Sequence, residues 1–294
     1  MKNKCIILLS EKSSGSSAIQ NLLANYTKIS HLENTRHYEN ESLYWVKASS
    51  VLGLKQNNMI ASEVPIDMET AKKDIANLLN ESLGTNYKAS HIDKKTIFHG
   101  WELLCKHHSP IFFEKSPHHL LQRSALKLIV EAISKISSVD FIIIGLIRNP
   151  MDVLYSYHKR WGVKPEKMEH QWNQAYLNLQ ELKKIVGDKL VIVRYEEVVH
   201  SLKCIYPVLN FCDINLSSVD NNYLHQNSIN KWKSDNFFGF NLSHEVMQLA
   251  LDYGYKRPEL VNNSNARYLW QFVKNFRYFV YYTLIFIKKI FQEK

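Results

Sequence analysis

The segment from Phe141 to Ser156 constrains the fold more than any other part of this 294-residue chain. Its first part, up to Ile147, is almost continuously apolar and rich in β-branched side chains, which is typical of a fully buried parallel strand. Arg148 follows at once, and Pro150 suits the first turn of a helix, because its missing N–H would make no hydrogen bond there. The segment therefore predicts a strand, a tight turn and a helix.

Polar side chains occupy this predicted turn. Asp152 falls in the first helical turn, where a carboxylate meets unpaired N–H groups, and Ser156 lies one turn further along. Ligands of open α/β sheets bind beyond the carboxyl ends of the strands. A guanidinium from Arg148 and the hydroxyl of Ser156 can therefore share one phosphate.

Other apolar runs predict further strands, separated by segments with helical spacing, at 5–9, 29–32, 111–115 and 190–194. Strands alternating with helices of this length form βαβ units with right-handed crossovers. We therefore predict an α/β fold with a mostly parallel central β-sheet flanked by helices. One domain is expected over 1–260, followed by an aromatic, basic, helical tail over 261–294.

The amino-acid composition limits the kinds of partner and compartment that we expect. The chain is 45% hydrophobic, enough for a sizeable core, and its formal net charge of +9 favours anionic partners. The four cysteines are scattered without zinc-ligand spacing, which suits a reducing compartment. The apolar run near the N-terminus is too short for a signal peptide, so we expect a cytoplasmic protein.

The sequence of the tail predicts a second location for the protein. Its apolar core of about ten residues is too short to span a bilayer, which needs about 20. An aromatic, cationic segment can instead lie in a membrane interface, or it can dock on the domain or on a second copy of the chain. Peripheral contact with the inner face of a membrane is therefore one alternative, and the oligomeric state is open.

The loop after the first predicted strand is rich in small residues around Gly15. Such a loop lets backbone N–H groups approach an anion, and the following helix adds the positive end of its dipole. It is not a Walker A loop, because Ser16 stands where the Walker lysine would follow the second glycine. Lys12 precedes the glycine instead.

The pattern Arg148-x-Pro150-x-Asp152-x-x-x-Ser156 resembles the 3′-phosphate motif of sulfotransferases that use 3′-phosphoadenosine 5′-phosphosulfate (PAPS). The loop resembles their 5′-phosphosulfate loop, [KR]-S-G-[ST]-[ST], except that Lys12 lies one residue earlier than the usual cation. A segment beginning at Val193 resembles the R-Y-E-D-L segment of this superfamily. The resemblance implies donor binding by Lys12, Ser13, Ser14, Gly15, Ser16, Ser17, Arg148, Ser156 and Tyr195.

Catalytic roles also follow from the resemblance. Glu114-Lys115-Ser116 is similar to the E-K-[ST] segment of heparan N-sulfotransferases, which implies that Lys115 assists transfer. Lys12, as the cation of the loop, would stabilise charge on the departing phosphate, and His118 or His119 can face the acceptor. The acceptor must lose a proton, and Glu33 occupies roughly the place of the family's glutamate base. Glu39, Glu63 and His99 are the alternatives. This mechanism requires no metal.

The expected activity is PAPS-dependent sulfation of a hydroxyl or amine. A saccharide or glycolipid acceptor is favoured by the E-K-S segment and the glutamate base, while a peptide tyrosine or small metabolite stays open. An ATP-dependent P-loop kinase is a second hypothesis, which the absent Walker lysine disfavours. A non-catalytic anion- or nucleic-acid-binding module is a third, and the dispersed Lys and Arg residues predict no nucleic-acid partner.

Overall fold

A computed structural model describes residues 2–26, 28–33, 35–215, 224, 226–262, 266–267, 269–270, 276, 280 and 283. The chain divides into two compact units. The first unit comprises Met1–Arg148 and Gln174–His225, and the second comprises Asn149–Asn173 and Gln226–Lys294. Most of the predicted tail lies outside the described residues, so the predicted boundary at residue 260 stays a prediction.

The first unit contains a five-stranded sheet. Its strands are β1 (Asn3–Ser10), β2 (Ile29–His31), β3 (Ile111–Lys115), β4 (Val139–Ile147) and β5 (Leu190–Arg194). Their order across the sheet is β2-β3-β1-β4-β5, and every neighbouring pair is parallel. The predicted α/β fold with a parallel central sheet is confirmed.

Helices separate the strands along the chain. They are α1 (Ser16–Ala24), α2 (Tyr44–Val51), α3 (Met68–Leu83), α4 (Lys94–His107), α5 (His118–Leu121), α6 (Arg123–Lys135), α7 (Pro150–Trp161), α8 (Pro165–Val186), α9 (Tyr195–His200), α10 (Tyr206–Phe211) and α11 (His244–Asp252). The capping follows the sequence: the Asp67 carboxylate accepts the Thr70 N–H at 2.9 Å at the start of α3. Gly84 ends this helix in the left-handed conformation.

The central strands explain why the sheet is stable. β1 and β4 pair along their whole length, with Cys5 opposite Phe141 and Ser10 opposite Leu146. The residues from Cys5 to Leu9 have no exposed surface. Burial on both faces requires near-continuous apolar sequence, which is the pattern that both strands show.

An aromatic cluster packs beside the sheet in the first unit. The rings of Trp45 and Trp101 lie 4.8 Å apart, and Trp101 lies 5.4 Å from Phe112 of β3. The Tyr44 hydroxyl donates to the Ile97 carbonyl at 2.6 Å, so its buried polar atom is satisfied. The cluster thereby fixes α2 and α4 against β3.

The second unit begins with α7, whose start matches the predicted strand-turn-helix step. Pro150 occupies the first turn, and the Asn149 side chain accepts the Met151 N–H at 2.9 Å. The Asp152 carboxylate accepts the Asn230 N–H at 3.1 Å, which ties α7 to the loop before a short 3-10 turn. Within the described residues, no helix combines the length and apolar character needed to cross a bilayer.

Candidate active site

The carboxyl ends of four strands meet at one edge of the sheet in the first unit. Leu8 of β1 pairs with Lys115 at the end of β3, and Ser10 pairs with Leu146 near the end of β4. Ile147 pairs with Arg194 at the end of β5. Residues predicted to bind the donor follow β1, β4 and β5, and the predicted catalytic Lys115 ends β3. The parallel topology therefore gathers segments that are distant in sequence.

Gly15 shapes the loop that joins β1 to α1. It is the residue before the helix and has φ 88° and ψ 17°, a left-handed conformation that favours glycine. A Cβ atom at Gly15 would lie 2.3 Å from Cε2 of Tyr195. Helix geometry leaves the N–H groups of Ser16 and Ser17 without intrahelical acceptors. The loop can therefore offer backbone donors to an anion.

Tyr176 of α8 ties this loop to the end of β4. Its hydroxyl lies 3.1 Å from Ser14 Oγ, accepts the Glu11 N–H at 3.4 Å and donates to the Leu146 carbonyl at 3.1 Å. The Tyr176 side chain is fully buried. One phenol therefore links the two strands that precede the predicted anion-binding segments.

Arg148 lies against the same loop. Its Nη1 donates to the Ser13 carbonyl at 2.9 Å, and its guanidinium carbon lies 5.0 Å from the centroid of the Tyr195 ring. Stacking of this kind holds a guanidinium plane in place. The structure thus brings together Arg148, Tyr195 and the Gly15 loop, as predicted from separate motifs.

Ser156 belongs to a different unit from these residues. Arg148 is the last residue of the first unit before the chain enters the second, and Ser156 lies in α7 of the second unit. The sharing of one phosphate by Arg148 and Ser156 stays a prediction.

Lys12 lies on the loop with its ammonium directed to a backbone carbonyl. Its Nζ donates to the Ala61 carbonyl at 3.0 Å, and its backbone N–H donates to Glu11 Oε1 at 3.0 Å. Burial lowers the pKa of Lys12, while the charges of nearby glutamates, including Glu41 and Glu63, oppose this shift. These carboxylates help to keep a partly desolvated cation at the site.

Lys115 is the buried cation of the site. Its side chain is 1% exposed, and its Nζ donates to Ser17 Oγ at 3.2 Å. The same ammonium lies 3.4 Å from Glu39 Oε2 and 3.4 Å from Glu41 Oε1. Glu39 also accepts the Ser17 hydroxyl, so it touches both the loop and the lysine.

Glu39 combines accessibility with an unusual backbone. Its side chain is 35% exposed, whereas that of Glu41 is 8% exposed. Glu39 has φ 54° and ψ 36°, a left-handed conformation that is uncommon for residues other than glycine. Such strain recurs at functional sites. Of the two carboxylates beside Lys115, Glu39 is therefore the one that an acceptor can reach more readily.

Glu33, the predicted base, lies at the protein surface. It is exposed and lines a surface cavity of about 490 Å³ together with His107 and His108. The contacts of Lys115 with described residues do not include it. The alternative His99 is exposed on α4. The structure thus brings Glu39, and not Glu33, to the predicted catalytic lysine.

Two histidines surround Glu41. Oε2 of this carboxylate lies 3.4 Å from His37 Nδ1 and 3.2 Å from His118 Nδ1, while His37 Nε2 lies 2.6 Å from Glu63 Oε1. Burial alone would raise the pKa of Glu41, but His118 and Lys115 together hold it below its usual range. Burial lowers the pKa of His118, and the hydrogen bond from His37 lowers that of Glu63.

Glu114 and His119 form a separate buried pair. His119 Nε2 lies 3.4 Å from Glu114 Oε1, and both side chains are buried. Glu114 also accepts the hydroxyl groups of Ser42 and Ser116. These contacts give Glu114 a structural role, because its partners Ser42, Ser116 and His119 are buried side chains.

Sequence reasoning missed Tyr176, His37 and Glu41. Tyr176 carries no motif signal, since its spacing in α8 is that of an ordinary buried helix residue. His37 and Glu41 stand one helical turn apart in sequence around Glu39, and this alternation of charged residues was the available signal.

Comparisons with known proteins identify the family and the fold. A profile described as the sulfotransferase family matches residues 6–218. The sulfotransferase domain from the curacin biosynthetic pathway is a similar solved structure, with a TM-score of 0.57 and 15% identity over 86% of this chain and 98% of that one. A sulfotransferase from Alicyclobacillus acidocaldarius has a TM-score of 0.48 and 10% identity over 90% and 95%. No curated protein sequence matches the chain. From its match over residues 6–218, the chain belongs to the sulfotransferase family.

Proposed function

We propose that this protein transfers the sulfuryl group of PAPS to a hydroxyl or amine of an acceptor. One observation carries the proposal: Arg148 donates to the Ser13 carbonyl, so two predicted anion-binding segments are in contact at one edge of the sheet. A donor with phosphate groups at both the 3′ and 5′ positions needs two such segments close together. The family membership supports the same activity.

The donor's charged groups match the residues of the loop and the strand end. The N–H groups at the start of α1 and the hydroxyl of Ser16 would bind the 5′-phosphosulfate. The hydroxyls of Ser14 and Ser17 hold the loop by donating to Tyr176 and Glu39. Arg148 would bind the 3′-phosphate, with Ser156 as its predicted partner. Ser13 supplies loop backbone, and its carbonyl orients the guanidinium.

In-line transfer gives separate tasks to the carboxylate and the two ammonium groups. The acceptor oxygen forms a bond to sulfur while the bond from sulfur to the donor phosphate breaks. Glu39 would take the acceptor proton, since it is partly exposed and touches both Lys115 and Ser17. Lys115 and Lys12 would stabilise charge on the departing phosphate. Glu33 is the base implied by the resemblance, and it provides the direct comparison.

A saccharide or glycolipid is the proposed acceptor class. The proposal rests on the resemblance of Glu114-Lys115-Ser116 to the segment of heparan-type enzymes and on a carboxylate base. Contact of the tail with an anionic membrane would suit a lipid-linked saccharide. Vesicle co-sedimentation of the full chain and of a chain ending at residue 260 measures that contact, and equal partitioning would contradict it.

Donor binding is tested by calorimetry with adenosine 3′,5′-bisphosphate, ATP and an oligonucleotide. The bisphosphate should bind most tightly. Arg148→Ala should weaken it at least about tenfold, because a hydrogen bond to a charged group contributes about 1.5–3 kcal/mol. Arg123→Ala is the matched control, since Arg123 is exposed and pairs with Glu181 on the surface. Stronger binding of ATP would contradict the proposal.

Transfer is tested with labelled PAPS over glycan, phenol and peptide acceptors. Glu39→Gln should lower kcat/KM by about 10²–10⁴-fold, the usual contribution of a general base. Glu33→Gln should leave it within about twofold, because Glu33 makes no described contact with Lys115. The opposite ranking of the two variants would restore Glu33 as the base.

A further inference from the structure

A cluster of three metal-ligating side chains lies beside the proposed base. Within the described residues, His37, Glu41 and His118 each offer one ligand atom, and these atoms lie within 4.8 Å of one another. The three residues come from the segment before α2 and from the start of α5, so the fold brings them together. We propose that this cluster binds a divalent transition-metal ion, for which Zn²⁺ is the best fit.

Two of the three distances between ligand atoms are close to those of a tetrahedral site. Zn²⁺ binds nitrogen and carboxylate oxygen at about 2.0–2.2 Å, which places neighbouring ligands of a tetrahedron about 3.3–3.6 Å apart. Glu41 Oε2 lies 3.4 Å from His37 Nδ1 and 3.2 Å from His118 Nδ1. Two edges of the tetrahedron are thus already formed around one carboxylate oxygen.

Glu63 supplies the supporting contact that such sites need. Its Oε1 lies 2.6 Å from His37 Nε2. A carboxylate that accepts the N–H of one imidazole nitrogen directs the lone pair of the other nitrogen to the metal and makes it more basic. This contact fixes Nδ1 of His37 as the ligand atom, on the side that faces Glu41.

His118 gives an independent indication. Its side chain is fully buried, and neither of its ring nitrogens makes a hydrogen bond of acceptable geometry to the described residues. Buried polar atoms are nearly always satisfied by a partner. A metal ion on Nδ1 would satisfy this nitrogen, whereas the facing carboxylate oxygen at 3.2 Å does so only partly.

The charge around the cluster also favours a cation. The carboxylates of Glu39, Glu41 and Glu63 lie near two ammonium groups, those of Lys12 and Lys115. Glu11, which also lies beside Lys12, adds a fourth carboxylate, so the carboxylates exceed the ammonium groups by two negative charges. Glu41 presents Oε1 to Lys115 and Oε2 to the histidines, so the lysine and the metal would bind opposite sides of one carboxylate.

A histidine-histidine-glutamate set leaves a fourth position open for water or an acceptor oxygen. The side chain of His37 is 22% exposed, so one of the three ligands can be reached from solvent. The metal would hold the segment that carries Glu39 and Glu41 around Lys115. The inference stands on this geometry and does not rest on sulfuryl transfer.

The test is titration of chelator-treated, dialysed protein with ZnCl₂ by calorimetry and with CoCl₂ by visible absorption. One equivalent of Zn²⁺ should bind, and Co²⁺ should give the intense spectrum of four-coordinate cobalt. His118→Gln and His37→Gln should each weaken Zn²⁺ binding at least about 100-fold, and Glu63→Gln about tenfold. His91→Gln, at an exposed position outside the cluster, should change nothing.

Absence of saturable binding, or undiminished affinity in His118→Gln, would overturn the inference. His37→Gln keeps the test decisive if the buried His118 variant does not fold, because unchanged affinity there would overturn the inference equally. Binding of adenosine 3′,5′-bisphosphate to the same metal-free protein is measured in parallel. Failure of the bisphosphate to bind would contradict the donor proposal. The metal proposal would still be decided by the Zn²⁺ titration alone.

Discussion

Gly15→Ala tests whether the loop after β1 is built around Tyr195. Two separate costs follow from the structure. At φ 88° an alanine is held in the left-handed region, which costs about 1–2 kcal/mol. Its Cβ would also lie 2.3 Å from Cε2 and 2.4 Å from Cδ2 of Tyr195, and overpacking of this kind costs about 1–3 kcal/mol more. We expect a total of about 2–5 kcal/mol.

Gly53→Ala is the matched control. Gly53 has φ 64°, also left-handed, but its Cβ would have no neighbour within 4 Å. This variant should therefore lose only the conformational part, about 1–2 kcal/mol. Free energies of unfolding from urea titrations, followed by circular dichroism, give the comparison, provided that the variants keep the same m-value.

A double-mutant cycle separates the two costs. In a Tyr195→Ala background the clash is absent, so Gly15→Ala should cost no more than Gly53→Ala. Gly15→Ala should also weaken binding of adenosine 3′,5′-bisphosphate, because displacement of the Tyr195 ring disturbs Arg148. Equal costs for Gly15→Ala and Gly53→Ala in the unaltered background would refute the described packing of the loop.

Three further predictions follow from other contacts. Lys115→Met should destabilise the protein by about 3 kcal/mol in urea titration, because it leaves the buried Glu41 without its cation, while the exposed control Lys135→Met should stay within about 0.5 kcal/mol. Burial lowers the pKa of His108 to about 4, so the unfolded chain binds more protons between about pH 6.5 and pH 4. Stability should therefore fall as the pH drops through this window, by about 1 kcal/mol at pH 5 after allowance for solvent, and a flat difference between wild type and His108→Gln would contradict this. Gly239→Ala should lower Tm, because its Cβ would lie 1.9 Å from the Ala266 carbonyl oxygen, and an unchanged Tm would disprove that contact.

The strands were predictable because each depends on the local pattern of apolar residues. β3 and β5 have the expected bounds, and β4 ends where Arg148 begins. The apolar residues of 120–134 recur at helical spacing. The segment nevertheless divides into α5 and α6 at Gln122, whose side-chain amide donates to the Asn57 carbonyl. That interruption comes from a contact between distant residues, which apolar spacing does not reveal.

The candidate site was predictable only in part for the same reason. Gly15 and Arg148 carry motif signals because each stands at a strand end, where topology fixes its place. The segment from 34 to 43 has no regular periodicity, so the sequence could not decide between Glu33 and Glu39. The backbone of Glu39, Asn40 and Leu43 is left-handed and sets the path of this segment. Composition does not predict such conformations at these residues.

The buried phenol of Tyr176 has a consequence for recognition. It fastens the loop after β1 to the end of β4, so the protein's own contacts hold these two segments together. A preorganised site loses little conformational entropy on binding, so a ligand should bind with little movement of the backbone. Under the proposed function, a change of the preferred nucleotide would begin in α8, at a residue that contacts the loop.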